Sequence, residues 1–373
     1  MAKRNRQRGT LASLAAELGV SRTTVSNAYN RPEQLSPALR EKILATAEQR
    51  GYPGPHPTAR SLRTRRAGAI GVLLTEHLTY AFEDLASVDF LAGMAEASYG
   101  GNTCLTLVPV GPDSSVDVTA AAQLVNQPVI DGFVVYSVAA DDPYLQAARN
   151  RRLPLVICDQ PADETGLPFV GIDDRTAIAP AAQALIDAGH RRIGILSIRL
   201  DRRKNDGPVS TERLRHAGLH VQRSRVLGAL DVLASAGIDP ATVPVVERHI
   251  NDRANNIDAA RELLETHPDL TAVLCTTDSM ALGVLDYCAE RGISVPEQLS
   301  VTGFDGIVTA VARDLTTVIQ PNREKGAAAG RMLFRLIEQR LSDEEPPAGE
   351  SLRELLETKF RPGGTVTEPR SYD

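Results

Sequence analysis

From residue 67 onward the chain repeats one local theme, a short apolar run rich in β-branched residues followed by a longer stretch with helical spacing. The runs are AIGVLL (69–74), CLTLV (104–108), GFVVY (132–136), LPLVIC (153–158), RIGIL (192–196), TAVLC (271–275), SVTGF (300–304) and TTVIQ (316–320). Amphipathic stretches lie between them at about 85–99, 141–152, 176–189, 225–237, 254–267, 279–292 and 323–341. Strands connected through helices run parallel, and a parallel sheet needs helices on both faces to bury it. Over the 307 residues from 67 to 373 this pattern exceeds one comfortable sheet, so two doubly wound parallel-sheet lobes are expected. Ligands of such folds gather beyond the carboxyl ends of the strands, which directs attention to a cleft between the lobes.

Charge divides the chain at the same place. Residues 1–66 hold 13 Lys/Arg against 4 Asp/Glu, a balance of +9, whereas residues 67–373 hold 28 against 43, a balance of −15. A basic head on an acidic body is the pattern of a polyanion-binding module fused to a self-contained domain. The four cysteines (Cys104, Cys158, Cys275, Cys288) are far apart and form no Cys-x-x-Cys pair, which fits reduced thiols in a cytoplasmic protein. MAKRNRQRGT lacks the apolar stretch of a secretory signal, and no run approaches the roughly 18–20 apolar residues of a membrane span. His216 and His220 are helix-spaced but lack the intervening pattern of a zinc protease, so no metal is expected. There is no dinucleotide-binding glycine motif, phosphate loop or nucleophile elbow, so neither an enzymatic activity nor a cofactor is expected.

The head reads as three short helices. TLASLAAELG (10–19) places Leu11, Leu14, Ala15 and Leu18 on one face and stops at Gly19. Ser21 opens a second helix with Val25 and Ala28 inward, and Ser36-Pro37 opens a third carrying Ile43, Leu44 and Ala47, ending at Gly51. Two helices joined by a glycine-containing turn make a helix-turn-helix. Arg22, Thr23, Ser26 and Asn27 project from the first turns of the second helix, with the donors, acceptors and methyl group needed to read base edges in a major groove. Thr10, Ser21, Thr24, Asn30 and Ser36 are placed near helix starts, where hydroxyls, amides and backbone N–H groups hold phosphates. Ser21 and Ser36 would cap their helices with or without DNA.

The segment from Thr10 to Tyr52 resembles the DNA-binding headpiece of the lactose-repressor/galactose-repressor (LacI/GalR) family of bacterial transcription regulators. The resemblance rests on Thr10-Leu11, Ala15, Gly19 to Ser21, Thr24 to Ser26, Asn30, Ser36 and Gly51-Tyr52, and it adds Leu11 to the DNA-binding set. Asn27 stands where an arginine often follows in the family, so operator sequence is not transferable. The proline-rich stretch 52–58 reads as an extended linker, and Ala59, Arg60 and Leu62 match the family's hinge. The resemblance implies that this hinge folds on operator DNA, with Ala59 at the contact and Leu62 wedging into the minor groove. The expected organisation is a headpiece at 1–52, a linker and hinge helix at 53–67, and a two-lobed effector-binding and dimerisation domain at 68–373.

The body is also similar to the family's effector domain, itself like periplasmic sugar-binding proteins, through TTDSMALGVL (276–285), SVTGFDG (300–306) and LTTVIQP (315–321). The resemblance makes Asp305 an acceptor for a small-molecule effector. Thr277 and Asp278 fall where a strand gives way to a helix, Asp278 as either N-cap or ligand contact. Arg225 fits the family's cleft-facing arginine, with Arg213 and Arg215 as alternatives because 200–224 is long and charged. Arg253 falls near a stacking position, and Tyr80 and Phe82 are either lid aromatics or core. The implied function is a cytoplasmic, ligand-responsive regulator, most readily a repressor. It would bind a palindromic operator on double-stranded DNA as a homodimer, under allosteric control by a carbohydrate- or nucleoside-class effector and without a membrane partner. SLRELLETKF (351–360) is too short for a tetramer-forming coil. The alternative is a cytosolic small-molecule-binding or enzymatic α/β protein whose basic N-terminus is incidental.

Overall fold

The computed structural model describes residues 9–54, 66–74, 78–101, 103–111, 116–162, 166–342 and 352–370. The chain divides into two compact units, Met1–Ala67 and Gly68–Asp373.

In the first unit, α1 (Leu11–Leu18), α2 (Arg22–Asn30) and α3 (Pro37–Gln49) close over one small core of Leu14, Ala15, Val25, Ala28, Ile43 and Ala47. Each helix begins on a hydroxyl cap: Thr10 accepts from the Ser13 amide, Ser21 from Thr24 and Ser36 from Leu39. Gly19 ends α1 at φ 66°, a left-handed backbone that a side chain would strain. The turn into α2 therefore comes from sequence chemistry, while the stripe of small and branched apolar residues sets which faces remain outside.

The second unit holds two sheets. The first is ordered β12-β5-β4-β3-β1-β2, with β1 Ala69–Leu74, β2 Cys104–Pro109, β3 Phe133–Tyr136, β4 Leu155–Cys158, β5 Phe169–Gly171 and β12 Arg353–Leu355, all parallel. The second is ordered β13-β11-β10-β9-β6-β8-β7, with β6 Ile193–Ile198, β7 Gly207–Pro208, β8 Val245–Arg248, β9 Ala272–Cys275, β10 Ser300–Asp305, β11 Thr316–Ile319 and β13 Lys359–Arg361. Only its edge strands β7 and β13 run antiparallel. Alternation along β1 shows the two-faced burial. Ile70, Val72 and Leu74 pack under the helices Leu85–Ser98 and Asn322–Ser342, and Leu73 packs on the opposite side with Val125 and Leu145. The first sheet forms lobe 1 and the second sheet lobe 2, which is built likewise, with Ile193 and Ile195 on one face and Leu196 on the other.

The eight expected strands are present. β5, β7, β8, β12 and β13 are additions, and SLRELLETKF supplies the two edge strands β12 and β13 rather than a coil. Helices at Leu78–Glu83, Val118–Val125, Thr211–His216 and Val308–Ala312 lie outside the expected stretches, and the helix expected from 225 begins at His220. The chain crosses between lobes after β5, after β11 and between β12 and β13, so residues from distant sequence meet at the crossover.

Candidate functional site

On the first unit, Arg22 and Thr23 are exposed on the opening turn of α2, and Thr24, Ser26 and Asn27 are half-buried. Several polar groups already have partners: Asn27 Nδ2 donates to Gln34 Oε1 at 3.0 Å, and the Thr24 and Ser21 hydroxyls are 2.9 Å apart. Asn30 ends α2 rather than opening a helix, and its Nδ2 donates to the Ser26 carbonyl at 2.8 Å. Leu11 is half-buried against the small core. Ala59 and Leu62 lie outside the described residues.

In the second unit, a narrow polar cleft with room for about 90 Å³ lies between the lobes. Its walls are the carboxyl ends of the strands: Leu74 of β1, Ser137 after β3, Asp159 and Gln160 after β4, Thr277 after β9, Asp305 of β10 and Gln320 after β11. Three of these residues, Ser137 (φ 56°), Asp159 (φ 67°) and Asp305 (φ 125°), hold left-handed backbone without being glycine. That costs energy unless the surroundings enforce it, and here it turns polar side chains into the cleft.

A buried chain of charge joins both lobes along the cleft floor. Lys325, fully buried, donates to Asp159 Oδ1 at 2.9 Å and Oδ2 at 2.8 Å, and to Gln320 Oε1 at 2.8 Å. Gln320 Nε2 in turn donates to Asp305 Oδ1. Arg225 Nε donates to Asp174 Oδ1 at 2.8 Å, and its Nη1 donates to the Thr276 carbonyl at 2.9 Å and to Asp305 Oδ1 at 3.4 Å. The guanidinium lies over Phe304, 3.9 Å from the ring centroid. Oδ1 of Asp305 is thus committed to protein donors. Among the described residues its Oδ2 receives the Asp278 amide alone, at 3.4 Å, which leaves acceptor capacity for a ligand hydroxyl.

Asp305, Arg225 and Thr277 line this cleft, whereas Asp278 does not. The N-cap is Thr277, and Asp278, the first helical residue, turns inward to accept from Thr317 Oγ1 at 2.6 Å and the Ile307 amide at 2.9 Å. The two body motifs interlock here, because a Cβ on Gly303 would stand 2.3 Å from Asp278 Oδ1. Arg253 lies in an adjoining groove that shares Asp84 and Asn251 with the cleft, and it is exposed and paired with Asp286 at 2.9 Å. Phe82 is 60% exposed and outside the cleft, since it sits on the outer side of the helix Leu78–Glu83. Tyr80 belongs to that helix, but its side chain lies outside the described residues. Arg213 is drawn to the buried Glu247 and Arg215 is exposed, so of the three arginines only Arg225 reaches the cleft. Among the described residues no group of three or more His, Cys, Asp or Glu could hold a metal. The sequence reading missed Asp159, Gln160, Gln320, Asp174 and Lys325.

Burial pushes the Asp305 carboxyl up to about 8, with Arg225 opposing and the Asp278 charge adding to the rise. Burial likewise raises Asp278 to about 6, against hydrogen bonds from Thr317 and Ile307. The native state therefore binds protons that the unfolded chain, near the ordinary carboxylate value, has released. Stability from this pair is full below the ordinary carboxylate value and falls as pH rises from about 4, until about 6 for Asp278 and about 8 for Asp305. Asp305→Asn is accordingly expected to gain stability relative to the parent as pH rises from 5.5 to 8.5 in urea unfolding. An offset independent of pH would show that Asp305 does not titrate there.

A basic-headed helix-turn-helix unit and a two-lobed α/β body with a polar cleft at its strand ends define a DNA-reading, small-molecule-sensing regulator. Residues 182–366 match the periplasmic binding protein-like domain family. The chain is 63% identical to the HTH-type transcriptional regulator IpsA of Corynebacterium glutamicum, over 97% of this chain and 99% of that one. A crystal structure of a LacI-family transcriptional regulator from the same organism shares 59% identity at TM-score 0.75, covering 96% of this chain and 99% of the other. The regulator CelR in complex with cellobiose shares 26% identity at TM-score 0.64, covering 96% and 100%. The chain belongs to the LacI/GalR family of transcriptional regulators. Its relatives are regulators, not enzymes, and the reading of the basic N-terminus as incidental is set aside.

Proposed function

We propose that the chain is a ligand-responsive repressor that binds a palindromic operator as a homodimer in the cytoplasm of a bacterium. A carbohydrate- or nucleoside-class effector in the interlobe cleft would control it. The observation that carries this reading is the Arg225–Asp305 pair at the end of β10, an oriented donor and acceptor beside a cleft lined with further polar side chains. CelR, a relative of the same architecture, forms a complex with cellobiose. Dimerisation follows from economy of recognition, since one small headpiece reads too few bases for useful specificity. The proposed DNA contacts are Thr10, Leu11, Ser21, Arg22, Thr23, Thr24, Ser26, Asn27, Asn30 and Ser36, with Ala59 and Leu62 from the hinge. The proposed effector contacts are Asp305, Arg225 and Thr277. Effector binding would shift the balance between two lobe arrangements and so the spacing of paired headpieces.

The test is binding of the full-length protein to DNA upstream of its own gene across a salt series, with and without a panel of sugars and nucleosides. Protection of a palindromic site that one compound shifts supports the reading, and no preference over random DNA defeats it. Arg22→Ala is expected to cost about 1–3 kcal/mol on the protected site and to relax base preference under α2. A uniform loss on every sequence would make Arg22 a phosphate holder instead.

A further inference from the structure

The connection between β6 and the helix His220–Ser235 spans residues 199–219, far longer than the usual roughly 2–6 residues of a strand-to-helix loop. It is also built rather than loose. β7 pairs with β8 inside it, and Asp201 Oδ2 accepts from the Gly218 amide at 3.1 Å, closing the loop at its base. Glu247, fully buried on β8, accepts from the Leu200 amide at 2.8 Å, from Asn205 Nδ2 at 2.6 Å and from Arg213. Asp206 Oδ1 accepts from the His249 amide at 2.7 Å.

This rigid arm carries Arg202 to the other lobe. Arg202 Nη1 donates to the Asp141 carbonyl at 3.2 Å and lies 3.8 Å from the Asp141 carboxylate, and its Nε lies 3.8 Å from Asp142 Oδ2. Asp142 is buried and caps the lobe 1 helix Pro143–Asn150, with Oδ1 accepting from the Tyr144 amide at 2.8 Å. A second cross-lobe bond lies nearby. Leu219 offers no side-chain cap to the helix His220–Ser235, so Gln160 of lobe 1 supplies one, its Oε1 accepting from the Val221 amide at 3.0 Å.

We propose that residues 199–219 form a strap on lobe 2 and that Arg202 is a positioning residue that holds the cleft closed by bridging to Asp141 and Asp142. The guanidinium makes one hydrogen bond there and faces two carboxylates at 3.8 Å through different nitrogens, a spread that a lysine ammonium would not match. The biological meaning rests on the cleft being the effector site, but the clasp can be tested without any ligand. If the clasp fails, the effector reading still stands, and a cleft that binds no effector would still show the clasp.

The reporter is hydrogen exchange at the Val221 amide in the full-length, ligand-free protein, because its bond to Gln160 breaks when the lobes part. Arg202→Ala is expected to speed that exchange about five- to twenty-fold. The Val209 amide, which seats the strap by donating to the Val245 carbonyl at 2.8 Å, should be unchanged. Asp142→Asn keeps a competent helix cap and leaves the strap untouched, so it guards against Arg202→Ala merely loosening the strap. It should also speed Val221 exchange, and the double variant should exchange no faster than Arg202→Ala alone. Unchanged Val221 exchange in Asp142→Asn, or additive effects in the double variant, would overturn the assignment.

Discussion

Replacing Arg225 with methionine is expected to cost the second unit about 3–5 kcal/mol and to abolish any response to a cleft ligand. Methionine fills much of the same volume and can lie on Phe304, so the loss isolates charge and hydrogen bonding from packing. What remains is Asp174, 4% exposed, and Asp305, 6% exposed, without the guanidinium that both face, and a Thr276 carbonyl without its donor. Burial already raises the Asp174 carboxyl, with Arg225 opposing, so removing Arg225 leaves only the unfavourable part of that balance. Adding Asp174→Asn should recover part of the stability and none of the ligand response, because the cleft-facing partner of Asp305 stays absent. Urea unfolding and ligand-dependent operator binding measure the two effects separately. Measured above about pH 8, where Asp305 is ionised, a stability loss below about 1 kcal/mol would mean that Arg225 contributes little to holding these carboxylates, and the charge chain would then need redrawing.

The parts of the body legible in the sequence are those where burial on both faces forced an unbroken apolar run. β8 shows why others were not. Val245, Val246, Glu247 and Arg248 are all buried, yet half the strand is charged, and pattern alone reads it as surface. It is tolerated because Glu247 collects three donors, while Arg248 bonds Asp258 at 2.7 Å and Glu262 at 2.6 Å. No local rule reveals partners that lie 10 to 47 positions away. The site divides in a similar way. Asp159 and Gln320 each follow directly on an apolar strand, so the rule that ligands gather at strand ends could have singled them out. Lys325 carries no such signal. It sits in a helix where a lysine ordinarily reaches solvent, and only the crossover after β11 puts it under lobe 1. Phe82 differs in the opposite sense: proximity to a strand end suggested the cleft, and its helix turns it outward, whereas Arg253 lines a groove adjoining the cleft.

Gly326→Ala should destabilise the second unit by about 2–3 kcal/mol, although the substitution favours a helix by about 1 kcal/mol in isolation. The reason is the crossing of the helices Asn322–Ser342 and Leu85–Ser98, which touch backbone to backbone. A Cβ on Gly326 would stand 2.0 Å from the Phe90 carbonyl oxygen, and one on Gly93 would stand 1.9 Å from that of Arg323. Neither obstacle is a flexible side chain, so relief requires the helices to separate, loosening Phe90, Met94, Ala329 and Leu333 between them. Gly93→Ala should cost a similar amount, and the double variant should cost clearly less than the two together, since one separation accommodates both methyl groups. Separation would also carry Lys325, the neighbour of Gly326, away from Asp159 and Gln320, so the floor of the cleft should lose its register with the core. Urea unfolding of the three variants gives the comparison. Additive losses would show two independent contacts, and a stabilised Gly326→Ala would show that the helices do not meet at their backbones.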